Sequence, residues 1–251
     1  MKYFIANLKS ELSYLETKKY LTDIASYIPK TTLDLASTYI GLAVMSSALP
    51  FALDYFSNNT FKIGAQNVSS YNKGCMVDET TVTSLKEMQV KFAIVGHSYV
   101  RKSKCESNEL INSQILLLQE NNILPILCIG ESAQDCNSKD RLMKFLTKEI
   151  EECTKNVDLK SLIIAYEPIS YIGTGKIPKI MYLEDAINFI KQKTNHQVPV
   201  LYGGSVCDNT ISSLLEVKNL DGFLIGYYSI NSCHLDTSAI LRDASESRIH
   251  S

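Results

Sequence analysis

The sequence has no excess of charge of either sign, no paired cysteines, no long apolar run and no low-complexity tract, and each absence removes a class of protein. Lysine plus arginine number 25 against 27 aspartate plus glutamate, a formal net charge of −2. That balance gives no electrostatic reason to expect nucleic acid or an anionic membrane as a partner. An anionic ligand must then be held by local geometry. Seven cysteines stand scattered at positions 75, 105, 128, 136, 153, 207 and 233, never as Cys-x-x-Cys. An odd, unpaired set argues against a disulfide framework or a zinc site and fits a reducing compartment. Met1 to Lys9 lacks the apolar core of a signal peptide. No run approaches the roughly 18 apolar residues that cross a bilayer. A cytoplasmic protein with no membrane partner is expected.

What is present is a regular alternation. Eight short apolar runs occur: Tyr3–Leu8, Tyr39–Met45, Phe61–Ala65, Phe92–Val95, Leu124–Cys128, Leu162–Tyr166, Val198–Tyr202 and Gly222–Ile225. Near-continuous apolar character is what strands buried on both faces of a parallel sheet look like. Longer segments with helical spacing lie between them. Leu183, Ala186, Ile187 and Ile190 follow i, i+3, i+4, i+7; Leu142, Phe145, Leu146 and Ile150 nearly repeat it, as do Ile111, Ile115 and Leu118. Between Leu33 and Tyr55 the pattern is ambiguous, since Leu42 to Met45 suits helix or strand. Strand–helix alternation predicts a β/α barrel or a doubly wound open sheet. Eight strands and a length of 251 residues favour the barrel: an eight-stranded parallel β/α (TIM) barrel, one domain over residues 1–251.

In such barrels the active site lies where the strands end. The first run ends in Asn7-Leu8-Lys9, the fourth in Gly96-His97-Ser98 and the sixth in Tyr166-Glu167-Pro168. The seventh ends in Tyr202-Gly203-Gly204-Ser205, and the eighth in Ile225-Gly226-Tyr227. A lysine, a histidine and a glutamate would converge on one mouth. After Pro168 comes Ile172-Gly173-Thr174-Gly175-Lys176, a glycine-punctuated segment able to fold over the glutamate.

Taken in order, these motifs resemble the triosephosphate isomerase family. They are Asn-x-Lys, Gly64-Ala65-Gln66-Asn67, Gly-His-Ser, Cys128-Ile129-Gly130-Glu131, Tyr-Glu-Pro with its Ile-Gly-Thr-Gly-Lys lid, and Tyr-Gly-Gly-Ser-Val. The likeness spans roughly Tyr3 to Ser229. It implies an enzyme of glycolysis and gluconeogenesis that interconverts dihydroxyacetone phosphate and glyceraldehyde 3-phosphate through an enediolate. Glu167 would be the base, and His97 a neutral imidazole donating to the carbonyl oxygen, an arrangement for which this family is the familiar example. Lys9 would supply positive charge, with Asn7 beside it. The phosphate would sit on Gly173, Gly203, Gly204, Ser205, Gly226 and Tyr227, largely through backbone N–H groups. The lid, Ile169 to Lys176, would keep the enediolate from eliminating phosphate. The family also implies a homodimer, with no metal and no cofactor.

The sequence departs from that family at particular places. Tyr99 and Val100 follow His97-Ser98 where the family has Glu and Arg, though Arg101 is kept. The interdigitating loop reads Gly74-Cys75-Met76-Val77-Asp78-Glu79 instead of Gly-Ala-Phe-Thr-Gly-Glu. Ser170 replaces the lid's tryptophan, Tyr171 a small residue, and Tyr227 a second glycine. A weaker dimer, altered lid motion and weaker phosphate binding are expected, and a buried Lys9 without its carboxylate would carry a costly charge. An alternative is a homologue with reduced or no activity, acting as a binding or regulatory protein. A different phosphate-binding barrel is the third reading, against which Tyr-Glu-Pro and Gly-His-Ser speak.

Overall fold

The computed structural model describes residues 1–27, 37–57, 61–77, 79–131, 138–226 and 228–231. The strands are β1 (Lys2–Asn7), β2 (Thr38–Val44), β3 (Lys62–Ala65), β4 (Phe92–Val95), β5 (Leu124–Ile129), β6 (Ile163–Tyr166), β7 (Val200–Tyr202) and β8 (Gly222–Ile225). Each pairs in parallel with its sequence neighbour, and β8 pairs back onto β1, closing a barrel. Each apolar run of the sequence falls on one of these strands. The ambiguous segment divides: Leu42 to Val44 belongs to β2, and a helix follows at Leu49–Tyr55.

Strand alternation explains the unbroken apolar runs. Ile5, Ala43, Phe92, Ile94, Ile126, Ile163, Ala165, Leu201 and Leu224 fill the barrel interior. Their neighbours Phe4, Leu42, Val95, Leu127, Ile164, Val200 and Phe223 face outward against the helices. Both faces are therefore buried, as parallel sheets require.

The helices are α1 (Tyr14–Tyr27), α2 (Leu49–Tyr55), α3 (Val82–Glu87), α4 (Ser98–Lys104), α5 (Asn108–Glu120), α6 (Lys139–Cys153), α7 (Ile180–Lys193), α8 (Asp208–Leu215) and α9 (Tyr228–Asn231). Leu183, Ala186, Ile187 and Ile190 form the buried stripe of α7, and Ile111, Ile115 and Leu118 that of α5. On α6 the stripe differs from expectation. Leu142, Leu146, Ile150 and Cys153 are buried, Phe145 is only half-buried at its edge, and Glu149 is buried instead. Serine side chains cap two of these helices: Ser107 accepts from Leu110 N at 3.3 Å, and Ser138 from Arg141 N at 3.2 Å. Among the described residues no helix is long and apolar enough to cross a membrane. The tail from Arg242 to Ser251 lies outside the described residues.

One large side chain sets the packing of the lower barrel. The Phe92 ring lies across the interior where β2 and β3 carry Gly41 and Gly64. A Cβ at Gly41 would stand 2.8 Å from the ring, and one at Gly64 would overlap it. Because overpacking a dense core forces backbone or rotamer shifts, Gly64→Ala is expected to destabilise the fold by about 1–3 kcal/mol in denaturant unfolding. Phe92→Leu in the Gly64→Ala background should recover part of that loss, and simple additivity of the two changes would contradict the assigned contact.

Candidate active site

The mouth of the barrel is built by stepping two residues beyond the last apolar interior positions. Ile5 leads to Asn7, Ala165 to Glu167, Leu201 to Gly203 and Leu224 to Gly226. Inward orientation passes along each strand with its period of two. The result is a cavity of about 170 Å³ bordered by Asn7, Lys9, His97, Glu167, Gly173, Gly203, Gly204, Ser205 and Gly226. Nine of the ten expected site residues thus meet there. Tyr227 lies outside the described residues.

Glu167 is 4% exposed, and its main chain is fixed from both sides. Its N–H donates to Ile129 O at 2.8 Å, and a Cβ on Gly130 would overlap its carbonyl oxygen. On the other side, a Cβ on Gly203 would fall 2.7 Å from Glu167 Cγ. Glycines following β5 and β7 make room for the acid between them. Glu167 Oε2 meets no hydrogen-bond donor among the described residues. Beneath it lies Cys128, whose thiol burial, and secondarily the Glu167 charge, push well above its ordinary range.

His97 follows β4 and caps α4. Its Nδ1 accepts from Tyr99 N at 3.3 Å. A ring nitrogen that accepts carries no proton, so the other nitrogen, Nε2, is the donor in the neutral imidazole. Nε2 stands 3.5 Å from Glu167 Oε1. The exchange of Glu for Tyr at position 99 leaves this arrangement intact, because a main-chain N–H makes the contact. The Tyr99 side chain is 74% exposed.

Lys9 occupies a left-handed turn, φ 51°, unusual for a residue with a Cβ. Such a conformation costs about 1–3 kcal/mol and persists where neighbours enforce it. Here Lys9 N donates to Asn7 Oδ1 at 3.1 Å, and Gln66 Nε2 donates to Lys9 O at 2.8 Å. Gln66 also donates to Ala43 O at 3.1 Å, linking the turn to β2. The Lys9 ammonium lies over Gly226, whose Cβ would stand 3.4 Å from Nζ. Among the described residues no carboxylate lies within ion-pair distance of it. The expected penalty for a buried, unpaired lysine is reduced, since Lys9 is only half-buried and keeps contact with water.

A phosphate would meet main-chain donors here. The N–H groups of Gly173, Gly204 and Gly226 donate to no described residue, and that of Ser205 is directed at the Tyr202 phenol oxygen. Gly203 differs from its expected role. Its N–H is committed to Tyr166 O at 2.8 Å, so it offers a ligand nothing and serves as the clearance for Glu167. The lid is clipped across the cavity by Ser205, whose hydroxyl donates to Tyr171 O at 2.7 Å and accepts from Gly175 N at 3.1 Å. At its base, Glu131 is buried and accepts from Tyr166 OH at 2.9 Å and from Tyr182 OH at 2.8 Å. Gly173 and Gly175 each have φ near 70°, which lets the lid reverse twice.

Sequence reasoning gave no roles to Ile172, Val206, Cys207 and Leu224, which line the same cavity. Ile172 belongs to the lid motif and Val206 ends Tyr-Gly-Gly-Ser-Val, but no motif marks Cys207 or Leu224. Among the described residues there is no group of three side chains that could hold a metal.

Comparison with known proteins agrees with this geometry. A family model described as triosephosphate isomerase matches residues 2–241. A triosephosphate isomerase of Mycoplasma mobile is 33% identical over 233 residues, covering 92% of this chain and 95% of that protein. Those of Mesomycoplasma hyorhinis and Prochlorococcus marinus are 31% and 32% identical, each over 90% of this chain and 92% of their own length. An eight-stranded barrel, a family-model match over residues 2–241 and similarity along nearly the whole sequence converge on one conclusion: this chain belongs to the triosephosphate isomerase family.

Proposed function

We propose that the protein interconverts dihydroxyacetone phosphate and D-glyceraldehyde 3-phosphate through an enediolate, as one domain over residues 1–251 acting in glycolysis and gluconeogenesis. The observation that carries this is the pairing of a buried carboxylate with an imidazole Nε2 donor 3.5 Å away, at a cavity bordered by uncommitted N–H groups. Isomerisation needs a proton removed from a carbon beside a carbonyl and returned to its neighbour. Glu167 takes and returns that proton. His97 donates through Nε2 to the oxygen on which charge develops, and Lys9 and Asn7 add positive charge and a further donor. The substrate phosphate rests on Gly173, Gly204, Ser205 and Gly226, a site of amide dipoles that works without a basic surface patch. The clipped lid keeps water out and hinders phosphate loss from the enediolate.

Shortening the base tests its role. Glu167→Asp draws the carboxylate back by about one bond, and misplacement on that scale is expected to lower kcat about a hundredfold or more with KM little changed. Equal losses in kcat and in substrate affinity would argue against proton transfer by this residue. Glu167→Gln should abolish turnover in correctly folded protein.

Ser205→Ala tests the lid. It removes two hydrogen bonds of about 0.5–1.5 kcal/mol each, so the lid opens more often over the intermediate. Free phosphate released per isomerisation should rise, measured by a coupled phosphate assay. An unchanged ratio would mean that the clip is irrelevant to sequestration.

Two further readings accompany the activity. The protein works in the cytoplasm, where its scattered thiols stay reduced. It acts as a homodimer held less tightly than is usual for the family, because Val77 presents an apolar tip where a threonine would bond across the interface. Val77 is 89% exposed on the protomer, as is fitting for a residue awaiting a partner. Mass measurements on serial dilution should show dimers dissociating toward the nanomolar range, and Val77→Asp should move that transition to higher protein concentration. Dimers stable at nanomolar protein would contradict the weak interface.

A further inference from the structure

We infer that the buried pair Arg101–Glu149 positions the active-site groups, by tying the turn that carries His97 to the strand end that backs Glu167. The inference rests on the isomerase reading for its kinetic consequence, though not for its geometry. Neither residue touches the cavity.

Arg101 stands on α4, one helical turn beyond His97. Its Nε donates to Gly96 O at 2.7 Å, its Nη1 to Asn108 Oδ1 at 2.6 Å, and its Nη2 to Cys128 O at 3.3 Å. The same Nη2 lies 3.4 Å from Glu149 Oε1. Glu149 reaches from the inward face of α6, and its Oε2 accepts from Gly130 N at 2.9 Å. Gly96 holds φ 67° and turns the chain immediately before His97. Gly130 presses against the carbonyl of Glu167. A continuous path therefore runs from the His97 turn, through a guanidinium and a carboxylate, to the backbone that locates the base.

The pair has little reason to exist for stability alone. The two side chains are 18% and 7% exposed, so both charges lose most of their hydration. A buried ion pair commonly gives no more stability than apolar residues of the same size. What it adds is direction, because the planar guanidinium fixes several acceptors at once. Those acceptors include the Gly96 and Cys128 carbonyls, and the carboxylate satisfies the Gly130 N–H. Each is a main-chain group near a strand end, and such buried groups require partners. The carboxylate also feels the site electrically. Burial, and more weakly the Glu131 and Glu167 charges, raise its carboxyl while Arg101 and the Gly130 N–H oppose them, and the balance leaves it at about 7.

The test is the double variant Arg101→Met/Glu149→Leu, which leaves neither charge unpaired, beside the single variants Glu149→Gln and Arg101→Lys. Loosening the two turns is expected to lower kcat about tenfold or more with KM held within about threefold, since the cavity's own donors are untouched. Arg101→Lys keeps the charge and one donor, so it should retain more kcat than the double variant. Thermal unfolding checks that the double variant is folded, and if it is not, the nearly isosteric Glu149→Gln carries the same comparison. The imidazole 15N shifts of His97, recorded without substrate, give a readout independent of turnover. Native protein should show one Nε2–H tautomer, and the double variant an averaged pair. A folded variant with kcat within about twofold of native, or with an unchanged His97 ring signal, overturns the inference. Absence of isomerase activity in native protein would instead overturn the proposed function, and the ring signal would still decide the positioning role.

Discussion

Closure of β8 onto β1 is the constraint on which the site depends. Tyr3 to Ala6 pair with Gly222 to Ile225, residues more than two hundred positions apart. That ladder brings the Lys9 ammonium over Gly226 and completes the ring of strand ends. An open sheet built from the same eight strands would leave Asn7 and Lys9 at one edge and the Gly203-Gly204-Ser205 and Gly226 turns toward the other. All strands run parallel, so every strand C-terminus reaches the same rim and the polar residues need no long loops to meet.

Close packing then converts this rim into a chemical site. Glu167 is held by its neighbours' lack of side chains, with Gly130 behind its main chain and Gly203 beside its Cγ. The carboxylate is aimed by exclusion and keeps one oxygen without a donor among the described residues. His97 is oriented by a single amide from Tyr99. In the proposed function, charge for a phosphate would come from amide groups and one lysine, in keeping with an overall charge close to balance. Field strength is concentrated locally by geometry, where bulk charge would be screened within about 10 Å.

The departures from the family fall on side chains, while the functions at those places are carried largely by the main chain. Position 99 contributes its N–H, and its tyrosine ring points to solvent. Tyr171 contributes its carbonyl to Ser205. Ser170 is exposed, and the lid base is held instead by Tyr166 and Tyr182 on Glu131. Backbone roles survive substitution by any residue able to adopt the same conformation, and this is why altered motifs can still surround an intact cavity.

By itself the sequence determined the strands, the strand-end residues and the motifs that mark the family. Short-range order is responsible: runs buried on both faces are apolar throughout, and Tyr-Glu-Pro or Gly-His-Ser is a local phrase at a strand's end. Only the tertiary structure decided which groups were free to act. Gly203 reads as a phosphate donor, yet its N–H is spent on Tyr166 O, a partner 37 positions away in sequence. Glu149 stands outside the apolar stripe that the sequence shows on α6, yet it is buried because Arg101 and Gly130 reach it from elsewhere in the chain. Periodicity places a carboxylate on the outside by default, and only contact with a distant cation and an orphan amide brings it inside.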